Sequence, residues 1–350
     1  MIYRKQSGYD AFKCIADKCP KSCCEGWQIM IDDDSINRYK NVDGKFGQRL
    51  NNSIDFTEQC FLQNDTRCAM LNDNCLCDLH SSLGEDYLCY TCKMFPRHIE
   101  EFQDIREYSL SLSCPEFVRM ILENSYEFKI NETEDNLLDD PEEFEDFDFI
   151  LFDKLYFARD KMLHLAADQS LPLQDRLDCI ASMALRLQQY YDEGNIFEMD
   201  DLDFDQKIDT TGTGAVLSLD YSIKSMDILI TMEVLEESWR ESIISAQSFW
   251  KNNSNDTHIF DIAMNPESDI EFIFQKIFES LLFTYFCGSV YDGQIYARAM
   301  IAVQSTRWLM MLYFANNCAD LNSIIYLYSR EVEHSDLNIN SLISFFESEL

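Results

Sequence analysis

From residue 149 onward apolar residues recur every three or four positions, and this periodicity predicts helices over 149–167, 172–191, 220–251, 266–287 and 291–317. Pro172 and Pro266 stand at the head of two of these segments, where a first helical turn has no use for the missing N–H. Before residue 130 the pattern is broken. Asp32 to Ser35 offers caps for a helix through Ile36, Tyr39 and Lys40. The polar stretch 41–64, with Gly44 and Gly47, reads as loop with short helical pieces. Leu83-Gly84 marks a helix end, and Pro115 opens a helix carrying Phe117, Met120, Ile121 and Leu122. The alternation Tyr108 to Ser113 is the best strand candidate. Between Glu132 and Asp153 stand eleven Asp or Glu and no Lys or Arg, interleaved with Phe144, Phe147, Phe149 and Phe152. The pattern therefore predicts a mainly α protein: a cysteine-rich, metal-binding part over 1–130 with little strand, an acidic connection over 131–148, and a helical domain over 149–350. The segment Asp200 to Gly214, with its Thr210 to Gly214 run, reads as a loop.

Composition sharpens this picture in two ways. A 46% hydrophobic fraction in 350 residues supports a sizeable core, and only ten glycines suit helices better than a large twisted sheet. The formal charge of -35 argues against a nucleic-acid partner, because phosphate contacts need Lys or Arg to displace counterions. Neither a signal-like apolar run at the N-terminus nor an uninterrupted apolar stretch of about 18 residues occurs, so no membrane partner and a cytoplasmic location are expected.

In a reducing compartment, dense cysteine signals metal or redox chemistry before disulfides. Eleven of the fourteen cysteines lie between Cys14 and Cys114. Thiolate is the ligand of zinc and of iron-sulfur clusters, and four complete either kind of site. Cys14-x4-Cys19-x3-Cys23-Cys24 places four sulfurs in one short stretch; adjacent Cys23 and Cys24 point apart from an extended backbone, so one atom does not take both. Cys68, Cys77, Cys92 and Cys114 supply the further candidates, and eight exceed one tetrahedral site: either two centres exist or some thiols pack. Cys60, Cys75, Cys179, Cys287 and Cys318 read as packing cysteines, as does Cys89 of the Cys89-x2-Cys92 pair. The C-x3-C-x2-C loop, the phosphate loop and the glycine-rich dinucleotide turn are all missing. Of five histidines, His80, His98, His164, His258 and His334, none has H-E-x-x-H spacing; His80 and His98 read as surface residues. Trp27, Tyr39, Tyr87 and Tyr90 read as core rather than as a cage for cations, and Arg97 as an anchor for the loop carrying Cys92 through a charge-assisted bond.

Three ordered blocks resemble the bacterial flagellin lysine-N-methylases. The first runs from Phe12 and Cys14 through Cys23-Cys24-Glu-Gly-Trp27 to Asp32; the second from Arg67-Cys68 through Cys77, Gly84 and Cys92 to Phe95-Pro96-Arg97; the third from Ser109 to Glu116 and Arg119. The helical remainder is similar more loosely, at Leu281 to Phe286 and after Tyr291. The cysteine pattern is also related to small domains described as zinc or iron chelators. The resemblance selects Cys14, Cys19, Cys23, Cys24, Cys68, Cys77, Cys92 and Cys114 as the shared, metal-binding set, and implies methyl transfer from S-adenosylmethionine to lysines of flagellin, with an iron-sulfur cluster, 4Fe-4S foremost, or zinc as cofactor. The alternatives are a non-catalytic zinc- or iron-binding module with a helical interaction domain, and an iron-sulfur redox or radical enzyme.

Overall fold

The computed structural model describes residues 1–137, 144, 147–202 and 218–349. Of the loop expected over Asp200 to Gly214, residues 203–214 lie outside the described residues, as does much of the acidic connection. The protein is mainly helical, 58% helix and 10% strand, with its sheet in the N-terminal part.

In chain order the N-terminal part contains β1 (Ile2–Gln6), α1 (Asp33–Lys40), α2 (Gly44–Asn51), β2 (Ile54–Asp55), β3 (Cys60–Phe61), β4 (Gln63–Asn64), β5 (Arg67–Cys68), α3 (Asp78–Leu83), α4 (Tyr90–Met94), β6 (Arg97–Phe102), β7 (Ile105–Leu110), α5 (Pro115–Leu122) and β8 (Ile130–Glu134). As expected, Asp32 caps α1, its side chain accepting from Ser35 N at 2.9 Å, and Gly84 follows α3 at φ +91°, where a side chain would be strained. The strand content exceeds the reading from pattern. Four strands form one sheet in the order β6-β7-β1-β8, with β1 parallel to β7 and the other pairs antiparallel. The strand expected over Tyr108 to Ser113 is β7, set three residues earlier; its partner β6 pairs Arg97 with Leu110 and Phe102 with Ile105.

The helical part contains α6 (Phe149–Ala166), α7 (Leu173–Asp192), α8 (Leu219–Thr231), α9 (Glu237–Asn252), α10 (Thr257–Met264), α11 (Ser268–Tyr285), α12 (Ile295–Ala315), α13 (Leu321–Val332) and α14 (Asp336–Glu347). Almost every residue of α12 from Ile295 to Leu312 is buried, because α7, α9, α10, α11, α13 and α14 all pack around it. The single helix expected over 220–251 is broken into α8 and α9. The Glu331 carboxylate accepts from the backbone N–H of Leu235 at 2.6 Å and of Glu236 at 3.2 Å, and so satisfies the interrupted backbone from another element.

Two apolar cores result. The larger joins the helices to α5 and residues of β6 and β7, while the smaller gathers Ile29, Ile31, Ile36, Tyr39, Leu50, Phe61, Met70 and Leu79 with Cys68 and Cys89. The sheet is fastened to the helices by charge. Glu107 on β7, fully enclosed, accepts from Arg159 of α6 at 2.6 Å and from Arg4 of β1 at 3.2 Å, and Arg4 also holds Asp160 at 2.9 Å. Glu107→Ala leaves two buried guanidinium groups facing each other without their shared carboxylate. It should destabilise the fold by about 3–5 kcal/mol, measured by denaturant unfolding, whereas alanine at the exposed Glu127 should have little effect.

Candidate functional site

The cysteines expected to bind metal fall into two neighbourhoods. Cys14 lies within electrostatic reach of Cys19, Cys23 and Cys114, and Cys24 within reach of Cys68, Cys77 and Cys92, with Cys89 reaching Cys68 and Cys92. Adjacent Cys23 and Cys24 stand where the two groups meet. The backbone builds the second group directly: Cys68 N donates to Cys24 O at 2.8 Å, Leu71 bridges to Cys77, and Cys89 and Cys92 share the first turn of α4. Burial pushes the Cys68 and Cys114 thiols up to about 12, so water-excluded thiols here favour the neutral form in the absence of a cation. Two thiol–thiol contacts work the other way. Cys23 donates to Cys24 and Cys92 to Cys89, lowering the acceptor and raising the donor.

Cys89 is fully buried, as a packing cysteine should be, yet it belongs to the second thiol group and was not separable from it by pattern. Cys60 and Cys287 are buried as expected. Cys318 is not: it is exposed, past the end of α12 at φ +57°, and Cys179 is only half-buried. Cys75 is exposed.

A thiolate-bound group can be tested against this arrangement. Arg330 of α13 lies beside Cys23 and Cys19, and its Nη1 is buried without a hydrogen-bond partner. A cation held there suits thiolates, the form in which cysteine binds metal. The donor chemistry thus fits a thiolate-bound group. Among the described residues, however, no three His, Cys, Asp or Glu side chains close on a shared point as metal ligands do.

The cysteine segment is clamped to the helices by the same arginine. Arg330 Nη2 donates to Glu25 O at 2.6 Å, and its guanidinium lies 4.1 Å from the Trp27 ring centre. Gly26, at φ +100°, makes this approach possible: a Cβ there would stand 3.2 Å from Arg330 Nη2. On its other side Trp27 stacks on His334 at 4.8 Å and packs against Phe95 at 5.6 Å. Trp27 is therefore part of a junction and not simply core. His334 Nε2 meets the hydroxyls of Ser113 at 2.6 Å and Ser111 at 3.0 Å while the residue as a whole remains exposed. Arg97 differs from expectation too: its guanidinium rests over the rings of Tyr9 and Phe12 at 5.6 and 5.5 Å, so it anchors its strand through aromatic faces. His98, expected at the surface, is half-exposed and pairs with Glu100 at 2.7 Å.

Behind His334 opens a cleft of about 300 Å³, floored by β6 and β7 and walled by α11 and the start of α14. Phe95, the cis Pro96, Leu281 and Ile339 make its apolar lining; Tyr285 and Glu333 bring polar groups into it. Tyr285 donates to Glu333 Oε2 at 2.7 Å. Desolvation raises the Glu333 carboxyl above the usual glutamate range, moderated by the Ser329 and Tyr285 hydroxyls and by His98, and raises Tyr285 well above a normal phenol.

The comparisons with known proteins fall on this architecture. A family model described as the FliB lysine N-methylase C-terminal domain matches residues 159–350, more than half of the chain. The chain belongs to the FliB lysine N-methylase family. The match covers the helices, where the likeness by motif was loosest. The chain is 31% identical over 121 residues to the flagellar biosynthetic protein FliU of Salmonella muenchen, covering 32% of this chain and 71% of that protein. The same identity over the same length relates it to lysine-N-methylases of Salmonella typhimurium and Salmonella choleraesuis, where the match spans 30% of their length. No solved structure matches. Among the described residues no helix is long and apolar enough to cross a membrane.

Arg330, His334, Glu333 and Tyr285 were not found by motif, since each gains its partners from elements far away in the chain. Burial and the neighbouring Arg330 push His334 down to about 4 from its usual 6.5, so the junction favours the neutral ring. A depressed histidine contributes stability that is present above its unfolded value and lost as pH falls toward the folded one. Stability should therefore decline slightly between pH 6.5 and about 4, the effect being reduced by solvent screening of the exposed residue. Trp27→Ala should shallow that decline and move the His334 titration upward, followed by NMR of the ring.

Proposed function

We propose that this chain is a protein-lysine N-methyltransferase that carries a methyl group from S-adenosylmethionine to lysine side chains of flagellin in the bacterial cytoplasm. The match of its helical part to a lysine N-methylase domain is the observation that carries the reading. The match to a flagellar biosynthetic protein supports flagellin as the substrate.

The reaction sets demands that this site suits. Lysine attacks as the neutral amine, so the site must take the ammonium out of water or remove its proton. The amine must then meet the sulfonium methyl in line, which a rigid junction favours over a loop. The cleft beside the Trp27–His334 stack offers an apolar lining with carboxylate and aromatic faces. The glycine-rich nucleotide loops are missing from the sequence, so S-adenosylmethionine enters through the family alone.

Cys14, Cys19, Cys23 and Cys114, and separately Cys24, Cys68, Cys77 and Cys92, would hold a thiolate-bound group. An iron-sulfur cluster supplies redox or Lewis-acid chemistry when bound, and zinc supplies folding energy. Iron-sulfur is the preferred assignment. Anaerobically purified protein should be coloured and contain acid-labile sulfide; a colourless protein holding zinc alone would assign zinc instead.

Flagellin co-expressed with this chain should gain methyl-sized mass increments on lysine, read by intact-mass and peptide spectrometry. The increments should vanish with a Cys19→Ala, Cys92→Ala double variant. Unmodified flagellin from cells containing the folded, metal-loaded protein would defeat the reading.

A further inference from the structure

We propose that the cleft between β6–β7 and α11–α14 is the lysine-binding site, in which Glu333, oriented by Tyr285, receives the substrate's side-chain ammonium and accepts its proton. This deepens the methyltransferase reading and rests on it for the reaction, though not for the binding of a cation.

Three observations converge. First, Glu333 lines the cleft with Oε2 fixed by the Tyr285 hydroxyl at 2.7 Å and the Ser329 hydroxyl also against the carboxylate, so its near partners are neutral hydroxyls. Hydroxyls satisfy hydrogen bonds but leave the charge of a desolvated carboxylate unbalanced, and a bound ammonium supplies the missing cation. Second, the cationic groups around the cleft are already engaged. Arg298 is paired with Asp292 at 2.7 Å, His98 with Glu100 at 2.7 Å, and Arg97 lies over Tyr9 and Phe12. The Glu333 carboxylate, with Asp336 at the rim, is left to meet a cation from outside. Third, at about 300 Å³ the cleft is at the small end of ligand sites, roughly 300–1,000 Å³. Its apolar lining of Phe95, Leu281 and Ile339 suits a four-carbon chain ending in a charge, rather than a nucleoside-bearing cofactor.

The step balances without a further reagent. The ammonium N–H bond breaks as an O–H bond forms on the Glu333 carboxylate. The freed nitrogen lone pair attacks the methyl of the sulfonium donor, the C–N bond forms, the C–S bond breaks, and the neutral thioether leaves with the pair. Glu333 then returns its proton to water. Tyr285 is a positioning residue, since its hydroxyl is spent on Oε2. The groups facing Glu333 are Tyr285 from α11, His98 from β6, Arg298 from α12, Ser329 and His334.

The test uses n-butylammonium as the probe, with the full chain and its Glu333→Gln variant. Calorimetry should show binding to the wild-type protein, weakened about tenfold or more in Glu333→Gln because a charged acceptor is lost. Tyr285→Phe, which keeps the ring, should weaken it less. Equal affinity in wild type and Glu333→Gln, or no binding to the wild type, overturns the site. Where the wild type methylates flagellin, Glu333→Gln should lower kcat/KM by about 100-fold or more, with the deficit shrinking as pH rises and solution lysine deprotonates. A deficit independent of pH overturns the proton-accepting role. Absence of methylation by wild type, with butylammonium still bound through Glu333, would fail the methyltransferase reading and leave the cation site standing.

Discussion

Everything near the site depends on how Arg330 meets the cysteine segment. Its guanidinium is sandwiched between the Trp27 face and the Glu25 carbonyl, and a partly desolvated cation–π contact of this kind is worth up to about 2 kcal/mol. The contact does more than hold two surfaces together. It sets a permanent positive charge beside Cys19 and Cys23, and it presses Trp27 against His334, which forms the mouth of the cleft. Two groups of side chains with different chemistry, soft thiols on one side and carboxylate with phenol on the other, thus adjoin one side chain. Lys21 adds a second tie to Glu236 in the same region.

The helices were legible because their burial is periodic, and the limits of that legibility are physical. The long run over 220–251 has continuous periodicity, yet it breaks where the Glu331 carboxylate offers backbone N–H groups a partner about a hundred residues away. The sheet was harder to read. In β1 the buried positions are Arg4 and Gln6, polar residues turned inward to meet Glu107, Asp160, Tyr126 and Ser280, so no apolar alternation marks the strand. Its parallel partner, β7, also lies about a hundred residues on.

The cysteines are brought together in space as their density in sequence suggests, though not as a closed set of ligands among the described residues. Adjacency suggested that Cys23 and Cys24 do not bind one atom; in the fold the two are hydrogen-bonded to each other where two thiol groups meet. Cys89, read as packing, is buried and hydrogen-bonded to Cys92, two properties that sequence spacing alone does not separate. Glu333 and Tyr285 were invisible for another reason: a hydrogen bond spanning 48 residues between two helical segments leaves no motif. Family-level likeness and site-level chemistry thus come from different parts of the chain, the first from blocks of cysteine and helix, the second from single side chains brought together by packing.

The central claim is that the working site lies at the junction of the cysteine segment and the helices. Photo-crosslinking tests it most directly, using a flagellin peptide whose target lysine is replaced by a diazirine-bearing lysine analogue, with the attachment points mapped by mass spectrometry. The account predicts adducts on Phe95, Leu281, Tyr285 or Ile339, suppressed by an excess of unmodified peptide. Competed adducts confined to surfaces remote from the cleft, such as α8 and α9, would contradict it.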